Sequence, residues 1–276
     1  QASQNRSITH PKPTRDNKAL VSWNALLCSG LSQAHWAFPN AGYDSLALEL
    51  MHALLEKAWI DELHHSVHSD GPHGTAFLDD YATFGNALLA AYQLSGDNSY
   101  LNKAEELHQI VEAKFTQSGT FYPFNSNQQQ GWQTVIEIED NVIPSANSMY
   151  AHFLHDLGTL SGKMDLMSAA SELCEGVHGK VFKYGPNFSN WLQLALTIQQ
   201  GSKEAVFLGP EAFELRDEFA RAKYVPGTLF LAATSPSNDP LFKDRFTKGT
   251  TLIFICENQS CQLPTTDLET ALEQWN

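Results

Sequence analysis

The sequence is short of positive charge. Lys and Arg total 17 against 31 Asp and Glu, for a net charge of −14. Proteins that hold nucleic acid neutralise phosphates with clustered Lys and Arg, so no nucleic-acid partner is expected. An anionic membrane surface is disfavoured for the same reason. No apolar run approaches the ~20 residues of a membrane helix, so no membrane partner is expected. The opening, "QASQNRSITHPKPTRDNK", lacks an apolar core, which argues against a signal peptide. It also lacks an initiator Met, which sets the expectation of a piece of a longer chain. Cysteine is sparse at four residues. That is not the density of a disulfide scaffold, and a reducing cytoplasmic setting is expected.

Charged residues make up only 17% of the chain and apolar ones 42%, a composition that supports a large buried interior. The apolar residues fall into repeated helical hairpins. Residues 81–115 read as a helix, a break at "SGDN" and a second helix. Residues 145–177 repeat the plan around "SGK", and an earlier copy, "KALVSWNALLCSGLSQAHWAF" then "YDSLALELMHALLEKAW", breaks at "PNAG". "LSG" ends the first helix of two copies, at Leu94–Gly96 and Leu160–Gly162, where Gly suits the left-handed position past a helix end. First helices are apolar nearly all round and second helices on one face only, which predicts an inner and an outer layer. The fold class expected is mainly α: an (α/α) toroid of hairpins, incomplete because about seven helices are visible, over residues 1–202. A fourth inner helix is read at 190–200. The runs "EAVFLG", "GTLFLAAT" and "TTLIFICEN" then read as buried strands with a helix between the first two, a small α/β appendage over 203–276.

Parallel inner helices gather their N-termini at one end, where free N–H groups and dipoles form a funnel suited to anions or sugar hydroxyls. The three openings are polar: "DNKALVSWN", "FLDDYA" and "EIEDNVIPSANS". Asp79 and Asp80 are either caps or site residues. Consecutive helical positions point roughly 100° apart, so one can cap while the other faces the funnel. Ser145, after Pro144, reads as a cap, and Asn147 is then not needed as one. "VIEIED" alternates like a strand, with Glu137 and Glu139 on one face. Glu137 or Asp140 with an Asp of "LDDY" could form the carboxylate pair that glycoside hydrolysis uses. Trp23 and Trp132 could stack on a sugar ring or belong to the core. His64, His65, His68 and His73 crowd "LHHSVHSDGPHGTAF", which reads as a β-hairpin turning at "SDG". Such a cluster could bind a metal, but alternation puts His64 and His68 on one face and His65 on the other, and no fixed ligand geometry is evident. Cys28 and Cys174 lie in helical patterns as buried thiols. Cys256 and Cys261 lack two further zinc ligands and are not a C-x-x-C pair. A packing role and a redox role stay open for them. No metal and no cofactor is expected.

"DNKALVSWNALL", "FLDDYA", "DNVIPSANS" and "CENQSCQLPTTDLE", in that order, resemble the C-terminal half of the YyaL-type, spermatogenesis-associated protein 20-like family. The resemblance covers nearly the whole chain. It implies a six-hairpin toroid akin to N-acylglucosamine 2-epimerases and six-hairpin glycosidases, and a thioredoxin-like domain and early hairpins outside this chain as partners. The matching residues are Asp16, Lys18, Trp23, Asn24, Asp79, Asp80, Tyr81, Asp140, Pro144, Ser145, Asn147, Ser148, Cys256 and Cys261. The chain departs from the pattern in "TVIEIED", where basic residues are usual, and at His68, where Arg is usual. The resemblance and the funnel together predict a sugar-like ligand. Catalytic candidates are Asp79, Asp80, Asp140 and Glu137, and ligand-binding candidates are Trp23, Asn24, Tyr81, Trp132, Ser145 and Asn147. One reading is a hydrolase or epimerase, with the epimerase lowered because no His stands in the three helix openings. The other is a non-catalytic toroid that supports the thioredoxin-like domain.

Overall fold

A computed structural model describes residues 15–127, 135–223, 227–258 and 260–275. Strand β1 (Ala19–Leu20) runs into α1 (Val21–Ala37), which pairs with α2 (Tyr43–Ala58). A β-hairpin of β2 (His64–His68) and β3 (Gly71–Thr75) follows. Next come α3 (Leu78–Ser95) with α4 (Asn98–Lys114), α5 (Ala146–Ser161) with α6 (Met164–Tyr184), and α7 (Ser189–Gln200).

The two kinds of helix separate as their patterns require. Outer helices bury one stripe at helical spacing. The stripe is Ala47, Met51, Leu54 and Ala58 on α2, then Leu101, Ala104, Leu107 and Val111 on α4, and Leu166, Ala170, Leu173 and Val177 on α6. Inner helices α3 and α5 are buried almost throughout. Helices α1, α3 and α5 pack side by side, with α7 against α5 and the outer helices behind. Gly85 lets α3 and α5 approach closely, since a Cβ there would sit 2.7 Å from the Phe153 ring. The row is an open arc. Its end helices leave Trp23 and Leu27 on α1, and Leu192 and Leu196 on α7, exposed. Gly96 and Gly162 close α3 and α5 in the left-handed conformation, φ 68° and 70°, as the repeated "LSG" predicts.

The C-terminal part is a four-stranded sheet ordered β5-β4-β6-β7. It is built from β4 (Lys203–Leu208), β5 (Thr228–Ala233), β6 (Leu252–Glu257) and β7 (Ser260–Cys261), with helices α8 (Ala212–Ala222) and α9 (Leu268–Gln274). Strands β4 and β5 are parallel and joined through α8, and β6 lies antiparallel on the other side of β4. This unit caps the C-terminal end of the inner row. Arg216 of α8 is buried and donates to the carbonyls of Gln93 and Leu94 at 2.7 and 2.9 Å. Those are carbonyls of the last turn of α3, which lack helical partners. Cys256 and Cys261 stand opposite each other across β6 and β7 and are disulfide-bonded. Cys28 is a buried free thiol, and Cys174 is free and half-buried.

Candidate functional site

With the C-terminal ends covered, the opposite end carries the polar openings. Ser22 in the first turn of α1 donates its N–H to Asp80 Oδ1 at 3.2 Å. This ties the N-termini of α1 and α3 directly together. Asp80 Oδ2 accepts from the Phe77 N–H at 3.0 Å and from His65 Nδ1 at 2.8 Å. The carboxylate is fully buried, with three donors on two oxygens. Asp80 is therefore a cap and a clamp. Strand β2 pairs with both β1 and β3 in a small antiparallel sheet, which brings His65 onto Asp80. The hairpin at 64–75 follows the sequence pattern; its pairing with β1 was not legible there. The Asp80 bond holds the imidazole pKa of His65 above its usual range, against partial burial. His65 is a residue that the sequence reading did not include in the site. The signal available for it was the alternation that turns it away from His64 and His68.

Asp79 has a different environment. Its Oδ1 is buried without a hydrogen-bond partner. The carboxyl is pushed up to about 7, first by burial and then by the charge of Asp80 beside it. It lines a cavity of ≈ 530 Å³ with Phe124, the segment from Ile136 to Glu139, and Asn141 to Ala146. Glu137 lies on the same wall, and its charge acts on Asp79. Its own carboxyl is raised by partial burial. The cavity wall thus carries three carboxyl groups, Asp79, Glu137 and Glu139, beside Phe124, Ile136, Ile138, Val142 and Ile143.

What positions Glu137 is Asn147, in the first turn of α5. It is fully buried. Its Oδ1 accepts from the Tyr122 N–H at 2.9 Å, and its Nδ2 donates to the carbonyls of Tyr122 at 2.9 Å and Glu137 at 2.8 Å. The side chain is spent on backbone, so Asn147 is a fixing residue rather than a ligand contact. Residues 135–140 form no strand, contrary to the alternation of "VIEIED". Their backbone is held by side chains such as Asn147, which leaves Glu137 and Glu139 both on the exposed rim.

Asp140 also turns out to be structural. Its Oδ1 accepts from the Ser145 N–H and the Ser148 hydroxyl, each at 3.0 Å, and its Oδ2 from the Asn190 N–H at 2.9 Å. It joins the N-termini of α5 and α7. Ser145 is the cap of α5, accepting from the Ser148 N–H at 3.2 Å.

The remaining described candidates are not among the cavity residues. Tyr81 is fully buried with its ring edge-on to Phe115 at 5.6 Å, so it belongs to the core. Asn24 donates to the Leu20 carbonyl at 2.7 Å. Trp23 is exposed in the first turn of α1 and is not among the cavity residues. Trp132 lies outside the described residues. Asp16 and Lys18 form an exposed ion pair at 2.9 Å.

Comparison with known proteins agrees with the resemblance read from the motifs. The chain is 26% identical over 284 residues to spermatogenesis-associated protein 20 of Rattus norvegicus, covering 93% of this chain and 36% of that protein. The Homo sapiens protein of the same name is 26% identical over 289 residues, with the same coverage. The chain therefore spans about a third of the length of these curated relatives. No family model matches it. Among solved structures, cellobiose 2-epimerase from Spirochaeta thermophila aligns with TM-score 0.47 and 17% identity over 58% of this chain and 43% of that one. A glycoside hydrolase of family 105 from C. acetobutylicum aligns with TM-score 0.47 and 10% identity, covering 64% of this chain and 55% of that one. The toroid assignment rests on the hairpin packing and not on these likenesses. Among the described residues no helix is long and apolar enough to cross a membrane.

Proposed function

We propose that this chain, similar over nearly all its length to spermatogenesis-associated protein 20, binds a sugar-like ligand in the cavity at the inner-helix N-termini. Asp79 acts as proton donor there and Glu137 as its carboxylate counterpart. The observation that carries this reading is the Asp79 Oδ1, buried without a partner on the cavity wall. A buried polar atom left unpaired costs free energy, and a ligand hydroxyl or ether oxygen would supply the missing partner. An acid with its pKa near 7 still holds its proton in part at neutral pH. Such a group can donate to a leaving oxygen. A second carboxylate can then activate water or stabilise the developing cation. The apolar residues on the wall suit the C–H face of a sugar ring.

Among the described residues the cavity wall has two Glu and one Asp and no His. That composition favours hydrolysis over an epimerisation that relies on paired His. A second reading, a toroid that only supports a thioredoxin-like domain of a longer protein, is favoured by one fact. Asp80, Asp140 and Asn147 are all committed to hydrogen bonds inside the protein.

The test is turnover of a panel of aryl glycosides and disaccharides by the wild type, Asp79→Asn and Glu137→Gln. General acid loss costs typically ~10²–10⁴-fold in rate, and a drop of that size at Asp79 with KM little changed is expected. A substrate turned over by both variants as fast as by the wild type ends the catalytic reading.

A further inference from the structure

The β2–β3 hairpin carries a second cluster that the cavity does not use. Strand β2 alternates, so His65 points to Asp80 while Ser66 and His68 share the other face. Ser66 pairs with His73 across the hairpin, and His68 pairs with Gly71. This register lays the His68 and His73 rings together, with centroids 4.4 Å apart. Asp70, in the connecting turn, reaches His73 Nε2 with Oδ1 at 2.9 Å. One ligand atom from each of His68, Asp70 and His73 lies within 4.8 Å of the others.

We propose that His68, Asp70 and His73 form a binding site for a divalent transition metal, with Zn²⁺ the best-suited ion. Two imidazoles and one carboxylate are a donor set that such ions favour over Ca²⁺ or Mg²⁺, which take oxygen ligands. Zinc holds its ligands at ~2.0–2.2 Å, so the trio must draw together. The side chains have room to do so. Asp70 and His73 are exposed and His68 is half-buried, and their rotation disturbs no core. The same exposure gives an entry path and leaves the remaining coordination positions to water. Ser66 Oγ, 3.0 Å from His68 Nε2, orients that ring, as outer-shell partners orient metal-bound imidazoles. The shared proton between His73 and Asp70 gives way to the metal, so binding releases protons and weakens as pH falls. Spacing alone did not reveal the site, because C-terminal His73 joins His68 only through the hairpin register.

Calorimetric titration of tag-free, chelator-treated protein with ZnCl₂ tests this. One equivalent should bind. His68→Ala and His73→Ala should each weaken binding by more than ~10-fold, the least expected when even an outer-shell partner is lost. His64→Ala, which changes a ring bonded to the Glu62 carbonyl, should bind as the wild type does. Circular dichroism of each variant confirms folding, and Asp70→Asn offers a milder change at an exposed position. CaCl₂ and MgCl₂ should give no saturable heat. No saturable zinc binding by folded wild-type protein, or wild-type affinity in His68→Ala or His73→Ala, overturns the proposal.

Discussion

Replacing Asp79 by Asn should stabilise the protein at alkaline pH and leave it unchanged in acid. The Asp79 carboxyl is carried from 3.8 to about 7, mainly by burial and secondarily by the neighbouring Asp80 charge. Its folded value therefore lies above its unfolded one. Between those two values the unfolded chain ionises first, so the folded state holds more protons and loses stability as pH rises. Above about 7 the loss is complete. At 1.36 kcal/mol per pKa unit, the full shift corresponds to about 4 kcal/mol. Water entering through the cavity mouth screens part of it, and about 2 kcal/mol is the expected effect. Asn has nearly the same shape and carries no charge, and the Oδ1 that it replaces has no partner to lose. Urea unfolding of the wild type and the variant at pH 3, below both values, and at pH 8 measures the difference. The variant should equal the wild type at pH 3 and exceed it at pH 8. Equal stability at both pH values, or a less stable variant at pH 8, would refute the argument that burial and Asp80 oppose the Asp79 charge.

Asp80→Asn should behave in the opposite way. Both Asp80 oxygens accept hydrogen bonds, and an amide must turn its NH₂ toward one of those donors. A loss of about 1–3 kcal/mol in urea unfolding is expected, and wild-type stability would show that the clamp contributes nothing. The same replacement should lower the His65 pKa, followed by NMR titration of the ring, because the Asp80 bond is the first cause that raises it. An unmoved titration would contradict the pairing. Gly85→Ala should cost about 1–3 kcal/mol by overpacking α3 against Phe153; an unchanged urea midpoint would mean that the helices can part there. A thiol reagent applied to unfolded, unreduced protein should find two free cysteines, Cys28 and Cys174; four would show Cys256 and Cys261 reduced.

The layering was legible because burial writes itself into periodicity. The one-sided stripe on α4 and the near-complete burial of α3 follow from residue spacing alone, and the β4–α8–β5 unit was visible in its apolar runs. The division of labour between Asp79 and Asp80 was legible only as an alternative. Neighbouring helical positions must point apart, but which one points inward depends on where α1 presents its Ser22 N–H. The hydrogen-bond partners of Asp140 could not be read, since one of them, Asn190, lies 50 residues away. The strand expected at 135–140 failed because alternation reports two faces, not a neighbour to pair with. Asn147 replaces that neighbour. His65 was hidden for the same reason as Asp140, as its partner Asp80 follows 15 residues later on another element.

The central claim is that the cavity between Asp79 and Glu137 receives a sugar-like ligand. NMR shift mapping of the labelled protein with a panel of neutral and acidic disaccharides addresses it most directly. The account predicts saturable shifts at Asp79, Glu137 and the amides of Ser145 and Ala146, with those at Glu137, Ser145 and Ala146 kept in Asp79→Asn. Shifts confined to surfaces away from that cavity, or none at millimolar saccharide, would contradict it.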